Sequence, residues 1–452
     1  YYKDLSHPEI HKNGSFYDQL TRYTYNDIDP DRQNTINMYY NGRISGLSID
    51  FNTDVVVNNK STNTIIDETS SDYEDRGIDS DDDINARMYA TKLIFGHSLW
   101  QGNLNFGGEY VYSDYKDTYM SKAQQWIPSA DSRNRQTSAS AFVQYSRRLA
   151  DNWKLSTGLR YEHVDMKYYE DDVLEDETSR KYDNFFPTVS LGFSPGDVEM
   201  SLSYAQKTKR PLYSQMRNSF WYVNRFSIEG GNPGLRPYFV KDLSYLLSWN
   251  FMQVELSYKL YDDYIIGWYY IDNDKPDVLV SSPINLADRM PALDLNISLS
   301  PEIGVWYPLL DFTLSKQWLK LESCGVTKKQ NDLRITGTFD NSVYFDNGLM
   351  LELLTCFFTK GHEKSRYYAN NYCTFDFSAT YTFFGCLGVS MGVADIFDTN
   401  KETIKYLSPF GYEDFDDKFE TRSFYLQIHY IFNPAKSKYK GTGAGIEEKE
   451  RF

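Results

Sequence analysis

The chain has 452 residues, a formal net charge of −16 and an aromatic fraction of 17%. Its mean hydropathy is −0.58, so the chain is rich in aromatic residues without being apolar overall. No run approaches the roughly 18 to 20 apolar residues that a membrane-spanning helix requires. Nucleic acid is not an expected partner, because phosphate binding needs clustered Lys and Arg and this chain is acidic.

Apolar and polar residues alternate along most of the chain. In the segment RSFYLQIHYIFN (422–433), Leu426 and Ile428 fall on an apolar face and Gln427 falls on a polar face. Successive side chains of a strand point to opposite faces, so this pattern predicts amphipathic strands. About eighteen such segments follow one another in chain order, near 15–25, 33–44, 47–60, 84–96, 102–115, 135–149, 153–168, 181–194, 198–210, 238–249, 252–272, 285–299, 305–321, 333–346, 349–365, 371–384, 387–402 and 420–433.

The breaks between these segments alternate in length. Short breaks include ADN (150–152) and SPGD (194–197). Long breaks lie around 61–83, 116–134, 169–180, 211–237, 273–284 and 403–419. Short turns at one end and long loops at the other are typical of an up-and-down barrel with tight periplasmic turns and large external loops. If the last strand descends to the periplasm, 15–25 rises, 33–44 descends, and every long break is external.

A soluble barrel and a membrane barrel are the two folds to compare. Many segments exceed the roughly 9–11 residues with which a strand crosses a bilayer, and a soluble barrel of this width would need an apolar core that side chains could not fill. The sequence therefore predicts an all-β, transmembrane antiparallel up-and-down β-barrel over residues 1–433, followed by a polar C-terminal tail over 434–452. The apolar faces are expected to contact lipid, for example at Tyr161, Phe377, Leu426 and Ile428.

No catalytic or metal-binding pattern stands out. The four cysteines, Cys324 among them, show no metal-ligand spacing, and the six histidines form no metal-spaced pair. GFSPG (192–196) matches the nucleophile elbow G-x-S-x-G, but that motif needs a strand-to-helix turn, and here a strand follows. The acidic stretch 67–85 lacks the spacing of an EF-hand loop, so a solvated external loop is favoured over a divalent-cation site. We expect no enzymatic activity, no cofactor and no metal.

Two neighbouring segments resemble a known family. KTKRPLYSQM (207–216) and NRFSIEGGNPGLRP (224–237), followed by a fresh strand, resemble the middle of TonB-dependent receptor barrels of the outer-membrane β-barrel family. Further segments that resemble this family lie at 38–56, 158–171, 179–195, 393–401 and 436–452. The resemblance implies a barrel of about 22 strands in a Gram-negative outer membrane, closed by an N-terminal plug.

The resemblance also implies partners. These are outer-membrane lipid, lipopolysaccharide and the TonB system, which would act through a plug that these 452 residues do not include. We therefore expect the chain to be the barrel part of such a receptor, with room for four strands and a plug upstream.

The long break 211–237 carries the best candidates for ligand binding. Aromatic planes beside arginine suit sugars, aromatic chelates or peptides. The candidate residues are Tyr213, Trp221, Tyr222, Arg225 and Arg236, with Trp126 from the break 116–134. Packing within the loops is the alternative role for these side chains. GGNPGLRP (230–237) either stiffens the loop for binding or only forms a rigid turn that sets strand register.

Three functions remain open at this point. The first is a receptor that binds a scarce solute externally and imports it to the periplasm by TonB action. The second is a passive porin-like channel. The third is a surface-loop interaction protein that partners a ligand-capturing lipoprotein.

Overall fold

The computed structural model describes residues 2–12, 15–29, 32–272, 275–323, 326–408, 411–416, 420–432 and 443–452. The strands in these residues are β1 Tyr2–Ser6, β2 Glu9–Lys12, β3 Ser15–Ile28, β4 Arg32–Ile44, β5 Leu47–Ser70, β6 Arg76–Leu99, β7 Gly102–Ser121, β8 Ala130–Ala150, β9 Trp153–Glu170, β10 Val173–Leu174, β11 Arg180–Phe193, β12 Val198–Lys209, β13 Phe220–Asn224, β14 Ser227–Gly230, β15 Tyr238–Trp249, β16 Met252–Asp262, β17 Ile265–Ile271, β18 Leu279–Asn285, β19 Met290–Leu299, β20 Trp306–Gln317, β21 Leu319–Ser323, β22 Val326–Gln330, β23 Arg334–Tyr344, β24 Leu349–Phe358, β25 Gly361–Glu363, β26 Arg366–Tyr368, β27 Tyr372–Phe383, β28 Leu387–Ala394, β29 Thr403–Ser408, β30 Gly411–Asp416 and β31 Ser423–Tyr430.

Helix is scarce in the same residues. One 3₁₀ turn spans Tyr213–Met216, and one short helix, α1, spans Ile446–Lys449. Neither is long and apolar enough to cross a membrane, and the described part of the chain holds no other helix.

One antiparallel sheet dominates the fold. It holds 21 of the described strands, and from β5 to β31 each of its main strands pairs with the next one in chain order. Short turns, such as 100–101 and 250–251, lie at one end, and long connections, such as 210–237 and 395–422, lie at the other. The predicted up-and-down β-barrel is confirmed. We call these ends the short-turn end and the long-loop end.

The N-terminal strands differ from the prediction. The segments 15–25 and 33–44 do not form a hairpin, because β3 and β4 both run antiparallel to the single strand β5, end to end. The backbone N–H of Asp29 donates to the carbonyl oxygen of Ser61, so the chain continues past the break in the same direction. The prediction that 15–25 rises was therefore wrong. A break with Pro and Asp resembles a turn in sequence, although the strand resumes on the same neighbour.

The chain crosses the barrel wall once before β3, toward the long-loop end, and β1 and β2 together form this crossing. Both pair with β3, β1 with its second half and β2 with its first. Since β1 with β2 and β3 with β4 each make one pass, and β10 only extends a loop, the 21 described strands make 18 passes. The predicted number of strands across the barrel agrees with this count. The first of them, however, is formed by β1 and β2, and the prediction placed it at 15–25.

Two predicted external loops are mostly strand. Within the break 61–83, β5 and β6 continue pairing to Glu68 and Arg76, so the turn itself covers only 71–75. Likewise β7 and β8 pair up to Tyr119 and Ala130. The acidic and polar residues there were taken as loop because they lack an apolar face. The outward face of a strand that projects beyond the bilayer meets water instead of lipid and needs no apolar side chains, whereas the inward face, with Ile66, Glu68 and Ile78, is buried.

The remaining strands build smaller sheets at the long-loop end. β13, β14, β18 and β17 form a four-stranded sheet, and β25, β26, β29 and β30 form another. A separate hairpin joins β21 to β22. The predicted segment 252–272 therefore divides, with β16 in the barrel and β17 above it, and β18 lies almost wholly within the predicted long break 273–284.

The two faces of the sheet differ as predicted. Tyr161 and Phe377 lie on the outward face and are 37% and 39% exposed, whereas Glu162, the neighbour of Tyr161, points into the lumen and is buried. Leu426 and Ile428 are also exposed. They lie on β31, which is an edge of the described sheet, so every side chain of that strand is exposed.

The C-terminal part of the predicted tail lies inside the barrel. Of residues 434–452, only 443–452 are among the described residues, and the expectation for 434–442, like that for Cys324, falls outside them. We call 443–452 the C-terminal segment. Its Ala444 packs against Val56 and Met88 on the lumen side of β5 and β6.

Candidate functional site

The long break 211–237 folds back over the lumen wall, and we call it the rim loop. It begins with the 3₁₀ turn, continues through the β13–β14 hairpin and ends in the GGNPGLRP turn. In that turn the Asn232 side chain donates to the carbonyl oxygen of Pro283 at 2.9 Å and accepts from the Gly234 N–H. A Cβ on Gly231 would lie 2.4 Å from the carbonyl oxygen of Arg217. These contacts favour the rigid-turn role of the motif.

Tyr222 and Arg225 anchor the rim loop to β5. Arg225 Nε lies 2.8 Å from Glu68 Oε1, and the Tyr222 hydroxyl donates to the same oxygen at 2.9 Å. The Arg225 backbone N–H donates to Glu68 Oε2. All three side chains are buried, and burial together with the Glu68 charge raises the pKa of Tyr222. Both loop residues therefore have partners within the chain, and neither presents a free polar group.

Sequence reasoning missed Glu68 as a site residue. It belongs to the acidic stretch 67–85, where many carboxylates follow one another. Alternation along a strand indicates which of them share a face. Nothing in the sequence, however, indicates which carboxylate lies below Arg225.

The two tryptophans of the site each stack on an arginine. The Trp126 ring centroid lies 3.8 Å from Arg76 Cζ, and Arg217 lies over the ring of Trp221. Both tryptophans are half-buried and pack on an apolar cluster that contains Tyr222. The structure thus brings Trp126, Trp221 and Tyr222 together, as the candidate site requires.

Arg217 is a second residue that the sequence did not single out. Its side chain is buried between Asp82 and Asp117, with Nη1 at 3.5 Å and 3.6 Å from their carboxylates. Burial lowers the pKa of Arg217, while both carboxylates act against this shift. Arg217 therefore fixes Trp221 to the lumen wall.

Tyr213 and Arg236 lie apart from that cluster. Tyr213 is fully buried in the lumen, where its hydroxyl is 2.6 Å from Ser113 Oγ and donates to Glu448 of the C-terminal segment. Its ring stacks on Tyr115 with a centroid separation of 4.8 Å. Arg236 is exposed and pairs with Asp263 at 2.6 Å. A ligand role for these two residues stays a prediction.

Among the described residues, no group of three or more His, Cys, Asp or Glu is placed to hold a metal ion. GFSPG forms the turn from β11 to β12, in which Gly196 has a φ of 63°. The strand-to-helix geometry of a nucleophile elbow is therefore not present at this position.

Comparison with known proteins settles the family. The family model described as "Outer membrane protein beta-barrel family" matches residues 22–430. The chain belongs to this outer-membrane β-barrel family. Its location is accordingly the outer membrane. A sequence search among curated proteins found no match.

Solved structures with the same fold include receptors and a transporter. The siderophore receptor PiuA from Acinetobacter baumannii has a TM-score of 0.58 and 12% identity, with 95% of this chain and 68% of that chain covered. The copper transporter OprC has a TM-score of 0.57 and 13% identity, with 92% and 73% covered. The hemophore receptor HasR of Serratia marcescens, solved with its hemophore HasA and heme, has a TM-score of 0.54 and 13% identity, with 92% and 71% covered. At these identities the likeness establishes the fold of this family member.

Proposed function

We propose that this outer-membrane barrel is a TonB-dependent receptor that binds a scarce solute at its long-loop end and imports it to the periplasm. The observation that carries the proposal is the fold match over more than nine-tenths of the chain with receptors of this type. The rim loop supports it, because it places two arginine-stacked tryptophans over the lumen wall.

The solute class that fits best is a flat metal chelate. The neighbours named above are described as acting on copper, siderophores and heme. Trp126 and Trp221 are half-buried aromatic residues, with the cations of Arg76 and Arg217 over their respective rings. Aromatic faces next to cations suit planar, anionic chelates.

Energised uptake tests this proposal. Cells that carry the full-length protein are given radiolabelled ferric siderophores, heme or copper(II), with TonB intact or deleted. We expect one probe to accumulate only when both the protein and TonB are present. Accumulation that is equal without TonB, together with steady conductance in planar bilayers, would instead identify a passive channel.

A surface lipoprotein partner is the second candidate for this end of the molecule. HasR was solved with a protein, HasA, bound to it. In the present chain, Tyr17, Tyr73 and Phe226 form an aromatic cluster at the long-loop end, and Tyr73 is 45% exposed. Purification in mild detergent would retain such a partner, and its loss in a Tyr73→Ala variant would assign it to this cluster.

A further inference from the structure

The C-terminal segment occupies a polar site on the lumen wall. The segment contains the one-turn helix α1, and its Ala444, Glu448 and Arg451 are buried. The wall residues that contact it come from β5 to β8, from Arg210 after β12 and from the start of the rim loop. The segment therefore touches several strands and a loop that are far away in sequence.

Glu448 is the centre of these contacts. Its carboxylate accepts from Gln136 Nε2 at 3.1 Å and from Arg451 Nη1 at 2.9 Å, and it also accepts from the Tyr213 hydroxyl. Arg210 Nη1 lies 3.6 Å from it. Burial alone would raise the pKa of Glu448, but Arg451 and Arg210 hold that pKa below its usual range. The wall thus contains a built site for one carboxylate.

A second part of the wall recognises the backbone of the segment. Asp54 Oδ2 accepts from the Ala444 N–H at 2.7 Å, and Glu109 Oε1 accepts from the Gly445 N–H at 2.9 Å. Lys449 Nζ lies 3.2 Å from Asp54 Oδ1. Gly445 has a φ of 61°, and a Cβ there would lie 2.7 Å from the Ala90 Cβ. The position therefore requires glycine both for its dihedral angle and for its space.

The end of the segment reaches the base of the rim loop. Arg451 Nε donates to the Pro211 carbonyl oxygen at 2.9 Å, and the Tyr213 N–H donates to the Arg451 carbonyl oxygen. The Phe452 ring lies 5.7 Å from the ring of Tyr213. The first turn of the rim loop is thus held from below by the segment.

The segment depends on the wall for its shape. A helix of four residues is not stable alone in water, so its conformation comes from these contacts. One face, with Ile446, Glu447 and Glu450, remains exposed to the lumen. The segment is short and is held mainly by hydrogen bonds and ion pairs. It therefore resembles a bound peptide that can dissociate, and it differs from a strand or helix packed into the core.

We propose that the lumen wall at β5–β8 is a peptide-binding site whose occupant is the chain's own C-terminal segment, and that this occupant keeps the rim loop folded inward. When the segment leaves the wall, Tyr213 loses its hydrogen bond to Glu448 and the loop base loses its support. Binding of the segment to the wall, and its effect on the rim loop, do not depend on which solute is transported.

Binding in trans is the first test. The full-length protein with residues 443–452 deleted is reconstituted, and a fluorescent synthetic peptide, GAGIEEKERF, is titrated into it. We expect saturable binding. A peptide with Gln at position 448 should bind roughly 100-fold more weakly, because Arg451 is then buried without its carboxylate and Arg210 keeps only Glu162 as an anionic partner. The same change at exposed position 450 should have little effect. An absence of binding, or equal affinity of the two altered peptides, overturns the proposal.

Release of the rim loop is the second test, made in the intact chain. Arg217 is buried, so trypsin cuts after it only when the loop opens. Gly445→Val should raise the cleavage rate at Arg217 about tenfold by keeping the segment off the wall. Glu448→Gln should act in the same direction, and Glu450→Gln should not. Heat-modifiable migration verifies a folded barrel in each variant. Equal cleavage rates in all of them would refute the role of the segment, whatever the uptake assays give.

Discussion

Arg225 of the rim loop and Glu68 of β5 form a buried ion pair, 2.8 Å apart and separated by 157 residues of sequence. Tyr222 donates to the same carboxylate, so one side chain of the barrel wall holds two residues of the loop. Both loop residues were predicted to bind a solute. The contacts give them a structural role that any solute site on this loop would depend upon, and their binding role stays a prediction.

Replacing one partner of this buried pair should therefore reduce the stability of the rim loop much more than replacing one partner of an exposed pair. Arg225→Ala leaves Glu68 buried and uncompensated, and we expect a loss of roughly 3–5 kcal/mol in the local stability of the rim loop. Arg236→Ala breaks the exposed pair with Asp263 and should cost about 1 kcal/mol or less. Hydrogen exchange of the β13–β14 hairpin measures both. Similar protection in the two variants would mean that the buried pair does not hold the loop.

The faces of the strands give a second prediction. Leu426→Arg should reduce the free energy of folding into bilayers by roughly 2–4 kcal/mol if the residue lies near the midplane, since it places a charge against lipid. Gln427→Arg, on the other face of the same strand, is the matched control and should be close to neutral. Folding titrations in lipid vesicles measure both changes. A loss at 427 with none at 426 would reverse the assignment of the faces.

The orientation in the membrane gives a third prediction. In a cysteine-free background, Asp75→Cys and Trp126→Cys lie at the long-loop end, and Asp197→Cys lies in the short turn between β11 and β12. A membrane-impermeant maleimide on intact cells should label the first two and not the third. Osmotic rupture of the outer membrane should then expose position 197. Labelling of 197 alone on intact cells would invert the topology.

The alternation of apolar and polar residues was enough to predict the barrel. It was not enough to predict how the N-terminal strands pair or how far the strands extend beyond the bilayer. The alternation around Leu426 follows from the geometry of a single strand, so it can be read locally. The pairing of β3 and β4 with one neighbour depends on which strand lies beside the break, and no local signal encodes that. Polar strands that project beyond the bilayer, such as the outer half of β5, lose the apolar face on which the prediction relied.

For the candidate site, too, the sequence indicated the residue types but not their contacts. Aromatic and arginine residues of the rim loop were recognisable by type, and Trp126, Trp221 and Tyr222 do lie together. Their partners come from β5, β6 and β7, and long-range contacts of this kind have no signature in the loop itself. The insertion of residues 443–452 into the lumen was missed because a short charged sequence resembles a solvated tail. Its charges are instead matched by a wall that lies hundreds of residues earlier.

The aromatic pair over the lumen gives the last prediction. A triple replacement of Trp221, Tyr222 and Arg225 would also release the loop from Glu68, so it could not separate binding from folding. Trp126→Ala combined with Trp221→Ala removes the stacking faces and leaves that ion pair intact. We expect this double variant to weaken solute binding by roughly 10-fold to 100-fold, because each stacked ring contributes about 0.5–1.5 kcal/mol beyond its buried area.

Two measurements make this prediction specific. Hydrogen-exchange protection of the Arg225 backbone N–H, which donates to Glu68, should stay at the wild-type level in the double variant, and this verifies that the loop is still anchored to β5. Trp100→Ala removes a tryptophan that is 76% exposed at the short-turn end, and it should leave solute binding unchanged. If the double variant binds the solute as tightly as the wild type does, the two tryptophans serve only to pack the loop, and the solute must be held by other side chains of the long-loop end.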